Sequence, residues 1–117
     1  MSRLASILIL REDVPSTITR MWDPSNGYYG VLNSVMVSNL SPTAPATVVC
    51  KTALSSQTIG SLPNSSHVGK IVVPPNDSVQ LLDAALMLDE GESLCLSQDG
   101  ASLPVSVRVN GFVYSYP

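Results

Sequence analysis

The chain has 117 residues, the range of one domain, and its hydrophobic share of 44% against a charged share of only 13%, half the usual roughly 25%, excludes intrinsic disorder. Six basic and nine acidic residues give a net charge of −3, and no window holds a Lys/Arg cluster, which excludes direct binding of nucleic acid. No stretch approaches the roughly 18 apolar residues of a membrane helix, so no membrane partner is expected.

In chain order, the apolar opening "LASILIL" is followed at once by "RED" and lacks a small-residue cleavage site, so it reads as a strand rather than an export signal. Residues 1–12 are then either the first strand of the sheet or an N-terminal arm able to extend a partner's edge strand. "RMWDPSNGYYG" (20–30) sets the turn formers Asp-Pro and Asn-Gly among Trp22, Tyr28 and Tyr29, a candidate contact loop whose rings either mark an interface or fold back to plug one end of the domain. Strand alternation follows in "SVMVSN" (34–39) and "TVVCKT" (47–52), separated by the loop "SPTAPA". The stretch "SSQTIGSLPNSSHVG" (55–69) has no clear period and reads as a long loop, mobile or used for contact.

"NDSVQLLDAALMLDEG" (76–91) is the one serious helix candidate, with Asp77 as a cap. A helix there would be apolar nearly all round, which a domain of this size cannot bury, so the expectation is two short strands, Val79–Leu82 and Leu86–Leu88, broken at Asp83. "DEGE" and "QDG" then read as tight turns, Gly91 and Gly100 supplying positive φ, on either side of the strand "SLCLS". In "PVSVRVNGFVYSY", Val105, Val107 and Val109 face one way and Ser106, Arg108 and Asn110 the other. Asn110-Gly111 offers either a hairpin turn or a bulge that lets one long strand change sides, and the bulge is favoured because only a few residues remain.

The nine prolines and seven glycines thus cut the sequence into strand-length pieces. The expected fold is all-β: a single compact antiparallel β-sandwich over residues 1–117, immunoglobulin-like or jelly-roll-like, with at most one short helix.

Reactive chemistry is not expected. A helical calcium loop needs alternate oxygen ligands with glycine sixth, whereas in "DEGES" glycine falls third and Leu94 and Leu96 take ligand positions. His67 is the only histidine, and no nucleophile elbow, dinucleotide fingerprint or phosphate loop is present. Cys50 and Cys95 lie in apolar strand runs and are expected to be buried reduced thiols in a chain without an export signal. A non-enzymatic protein with no catalytic residue, metal or cofactor is expected. The low surface charge suits packing against other copies or partners, since few charges need desolvating.

The order "SVMVSNLSPTAPATVVCKTA", "GKIVVPPNDSVQLLD", "LMLDEGESLCLSQDGASLPVSVRVNGFVY" resembles a diffuse family of small virion proteins of tailed bacteriophages over residues 34–114, carried by the strand alternation, Pro74-Pro75 and the Gly91 turn. Trp22 with its aromatic loop and the Leu/Ala/Met-rich 81–88 depart from the pattern. The resemblance implies a homo-oligomeric β-sandwich made in the host cytoplasm and built into the virion as a capsid cement or decoration protein on the major capsid protein. The alternatives are a neck or tail accessory protein, or a carbohydrate-binding module stacking sugars on Trp22, Tyr28 and Tyr29. A secreted immunoglobulin-like adhesin would instead require a Cys50–Cys95 bridge.

Overall fold

The computed structural model describes residues 7–82, 84–99 and 104–117. The strands are β1 (Ile7–Asp13), β2 (Thr19–Trp22), β3 (Tyr28–Asn39), β4 (Ala46–Leu54), β5 (His67–Val73), β6 (Asp77–Gln80), β7 (Leu86–Leu88), β8 (Glu92–Gln98) and β9 (Val105–Ser115). Sheet A has the order β1-β9-β3-β6 with β7 also on β3, and sheet B the order β2-β8-β4-β5; all the pairs are antiparallel.

These pairings describe one long ribbon folded on itself. β4 pairs with β5, β3 with β6 and β7, β2 with β8, and β1 with β9. Rolled up, such a ribbon places alternate strands in opposite sheets, which is the jelly-roll arrangement. Of the two sandwich types expected, the jelly roll is therefore the one formed. No α-helix occurs among the described residues, only single 3-10 turns at Ile59–Ser61 and Asn64–Ser66.

Alternation along the strands builds the core. Leu32, Val35 and Val37 of β3 and Val105, Val107 and Val109 of β9 meet Val48 and Cys50 of β4 and Leu94 and Leu96 of β8, all essentially without solvent exposure. Each such aliphatic side chain contributes roughly 1.5–3 kcal/mol by leaving water. The described residues of 76–91 form two short strands between turns and no helix, in keeping with the all-round hydrophobicity of the segment. β6 lies slightly earlier than expected, at Asp77–Gln80, β7 falls at Leu86–Leu88, and Asp83 lies outside the described residues.

Three expectations are corrected. Most of 20–30 is strand, leaving only residues 23–27 as a loop between β2 and β3. β9 runs straight through Asn110-Gly111 and keeps its facing; the extra residues sit on its neighbours, Ile9 on β1 and Asn33 on β3. Gly111 makes that shift possible, because a Cβ there would overlap the Val31 carbonyl oxygen. Finally, 55–69 is not all loop: its last three residues, from His67, open β5, and Ser55 and Gln57 are tied to Gly91 and Arg20, while most of 58–65 is exposed. The Gly91 turn has the expected positive φ, 85°, whereas Gly100 lies outside the described residues.

Candidate functional site

Groups that might do chemistry are occupied in holding turns. Asp89 Oδ1 accepts from the Tyr116 hydroxyl at 2.9 Å, Glu90 Oε2 from Gly27 N at 2.6 Å, Glu92 Oε1 from Asp89 N at 3.0 Å, and Asp99 Oδ1 from Thr47 N at 2.8 Å. The hydrogen bond to Asp89 is also the main reason that the Tyr116 phenol is held above its ordinary range. No group of three His, Cys, Asp or Glu side chains able to hold a metal exists among the described residues. His67 stands exposed at the start of β5.

Both cysteines are free and buried. Cys50 faces the core, where burial pushes its thiol up to about 12. Cys95 alternates with Leu94 and Leu96 and so faces outward from sheet B, yet it has no solvent exposure. Arg20 helps to close that face. Its guanidinium donates to Ser93 Oγ at 3.0 Å and to the carbonyls of Leu54 at 3.0 Å and Gln57 at 2.8 Å, tying β2 to the segment after β4. Burial raises the Cys95 thiol, and the Arg20 charge offsets part of that rise.

The outer face of sheet A is different. Register assigns its side chains to rows across the strands. Asp13, Ser106, Ser38 and Ser78 form a polar row at one end, followed by Arg11, Arg108, Met36 and Gln80. Next come Leu8, Asn110 and Ser34, then Phe112, Val31 and Met87, and then Tyr114 beside Tyr29. Tyr116 and Asp89 close the far end, joined by their hydrogen bond. Met87 is 54% exposed, Leu8 45% and Tyr116 42%, while Val31, Phe112, Tyr29 and Tyr114 are half-buried. Half of this face is thus a contiguous apolar and aromatic surface, the kind that marks a contact site.

The three aromatics singled out in the sequence take separate positions. Trp22 is half-buried against the core, its indole edge so close to Gly30 that a Cβ there would come within 2.8 Å of it. Tyr28, 40% exposed, shares the core-facing parity of Gly30 and Leu32 but lies at the open start of β3. Tyr29 belongs to the outer face, with its ring centroid 5.1 Å from those of both Tyr114 and Tyr116 and its plane only 14° from that of Tyr114. The residues that sequence reasoning missed, Phe112, Tyr114 and Tyr116, had a readable signal: they share the even parity of Ser106, Arg108 and Asn110, the outward set of β9.

No protein-family model and no curated protein sequence matches the chain. Solved structures similar to it include a protein of Bacillus endospore appendages, described as a novel family of disulfide-linked pili, with a TM-score of 0.50, 13% identity, and coverage of 99% of this chain and 88% of that one. Two structures of a pentameric capsid protein isolated from metagenomic phage sequences are more distant. One has a TM-score of 0.39 at 21% identity over 94% of this chain and 67% of its own, the other 0.34 at 19% over 94% and 60%. At such identities the first likeness concerns the fold alone, a two-sheet β-sandwich.

Proposed function

We propose that the protein is a non-enzymatic structural subunit of a tailed-bacteriophage virion, binding the capsid lattice as a cement or decoration protein. The observation that carries the structural role is the outer face of sheet A, where Leu8, Val31, Met87, Phe112 and the tyrosines form one apolar surface on a rigid sheet. The described thiols are buried, and the carboxylates of the Gly91 turn are engaged in hydrogen bonds within the turn and with Gly27 and Tyr116. Shape and apolar area are what this molecule offers a partner. The virion assignment is supported by the sequence resemblance over residues 34–114.

Quantitative mass spectrometry of purified particles tests this reading. Symmetry makes copy number diagnostic: hundreds per particle support a capsid cement, about five to twelve support a neck or tail accessory protein, and absence refutes both.

The carbohydrate-binding reading is weakened by the ring geometry. Trp22, Tyr28 and Tyr29 do not share one face, and Tyr29 packs against two neighbouring tyrosines rather than presenting an open ring to a sugar. Nor does the chemistry of disulfide-linked pili carry over to the described fold, since both cysteines of this chain are buried.

A further inference from the structure

The rows on sheet A define more than an apolar patch. Arg11 and Arg108 stand directly opposite one another across β1 and β9, both exposed, a like-charge pair that costs stability within one copy. Glu12 and Asp13 follow them toward the rim of the sheet. The other end of the face carries exposed Asp89 and Glu90 beside Tyr116. Between the two ends lies the row of Phe112, Val31 and Met87. Phe112 stands four positions from Arg108 and four from Tyr116 along the chain, about 13 Å in each direction at the rise of an extended strand.

We propose that this face binds the same face of a second copy about a two-fold axis crossing β9 near Phe112. The inference deepens the structural-subunit reading and rests on it. An isologous contact requires a self-complementary surface, and between Arg108 and Tyr116 this one is apolar at the centre, with arginines toward one end, inside the Asp13 rim, and carboxylates at the other. The axis brings Arg108 of each copy toward the partner's Asp89 and Tyr116, and it sets Phe112, Val31 and Met87 of each against their counterparts. The carboxylates of the second copy relieve the Arg11–Arg108 repulsion. The face from Arg108 to Tyr116 measures roughly 30 Å by 15 Å from strand rise and spacing, or about 900 Å² of projected area over both copies, below the range of stable interfaces and in that of weak, transient ones. A reversible dimer of micromolar affinity is expected.

Sedimentation equilibrium of the purified protein from about 1 to about 500 µM tests the contact. The wild type should be dimeric at the upper end. Arg108→Asp and Asp89→Arg should each raise the dissociation constant by about tenfold or more, and the double variant should restore it to within about threefold, because the swap re-forms the pair with its sign reversed. Met87→Lys, at an exposed edge position, should also weaken the dimer. Unchanged circular dichroism and Trp22 fluorescence would establish that each variant is folded.

A wild type monomeric throughout, or a dimer indifferent to both single charge changes and to Met87→Lys, would overturn the proposal. Particle binding separates this outcome from the fate of the virion reading. A monomer found on particles would sink only the two-fold contact, whereas a dimer absent from particles would sink only the virion role.

Discussion

Asn39 is the buried polar residue whose removal should cost most. It ends β3 with no solvent exposure, and its amide makes three hydrogen bonds: Nδ2 donates to the carbonyls of Ala44 at 2.8 Å and Val73 at 3.1 Å, and Oδ1 accepts from Ser41 N at 3.0 Å. One side chain of sheet A thereby ties the loop into β4 and the end of β5, both in sheet B. Asn39→Ala removes all three bonds at about 1 kcal/mol each and leaves buried backbone groups without partners, for a total loss of about 3–5 kcal/mol. That is a large part of the roughly 5–15 kcal/mol expected for a domain of this size, and it should lower Tm by about 10–20 °C. Urea unfolding followed by the fluorescence of Trp22, the only tryptophan, measures it. Asn39→Asp sharpens the test. A carboxylate facing two carbonyls has its folded pKa raised above the unfolded value of about 3.9, so stability is greatest below that value and falls as pH rises through the folded pKa. Relative to wild type, this variant should be less defective near pH 4 than near pH 7. A loss under about 1 kcal/mol for Asn39→Ala would refute the claim that these bonds hold the sheets in register.

Arg20→Met should free the segment after β4 and speed alkylation of Cys95 by iodoacetamide without speeding that of Cys50, as read by peptide mass spectrometry; equal rates at both thiols would count against the covering role. Gly111→Ala should cost about 3 kcal/mol or more in urea unfolding, because the new methyl meets the Val31 carbonyl rather than a side chain able to move. Gly30→Ala should displace the Trp22 ring and shift its emission to the red. The Cys50 thiol, pushed up to about 12, contributes stability that is present below its unfolded pKa near 8.5 and lost as pH rises toward 12. Unfolding midpoints measured from pH 8 to pH 11 should therefore fall less steeply in Cys50→Ala than in wild type.

The strands with strict alternation were legible because their periodicity is a local property. Val105, Val107 and Val109 face the core as their spacing requires, and the apolar excess of 79–88 correctly argued against a helix. Jelly-roll order was not legible, since nothing local says that β1 pairs with a strand roughly a hundred residues away. The anchoring of Gln57 was hidden for a related reason. Arg20 captures the carbonyls of Leu54 and Gln57, and backbone acceptors leave no mark in a sequence. Asn110-Gly111 was read as a feature of its own strand, whereas the missing side chain of Gly111 accommodates an irregularity carried by β1 and β3. On the outer face, the parity of Phe112, Tyr114 and Tyr116 was visible, but their meeting with Tyr29 depends on a pairing that only the fold supplies.

The pairing of β1 with β9 has a mechanical consequence. Because Ile7 lies opposite Gly111 in an antiparallel pair, the start of the first strand and the close of the last point toward the same pole of the molecule. Tension applied between those two points would peel the marginal strand away, loading its ladder rung by rung instead of shearing all the rungs together. A subunit tethered through both ends would yield at low force, so a durable scaffold made from it should carry stress across the broad surfaces of its sheets.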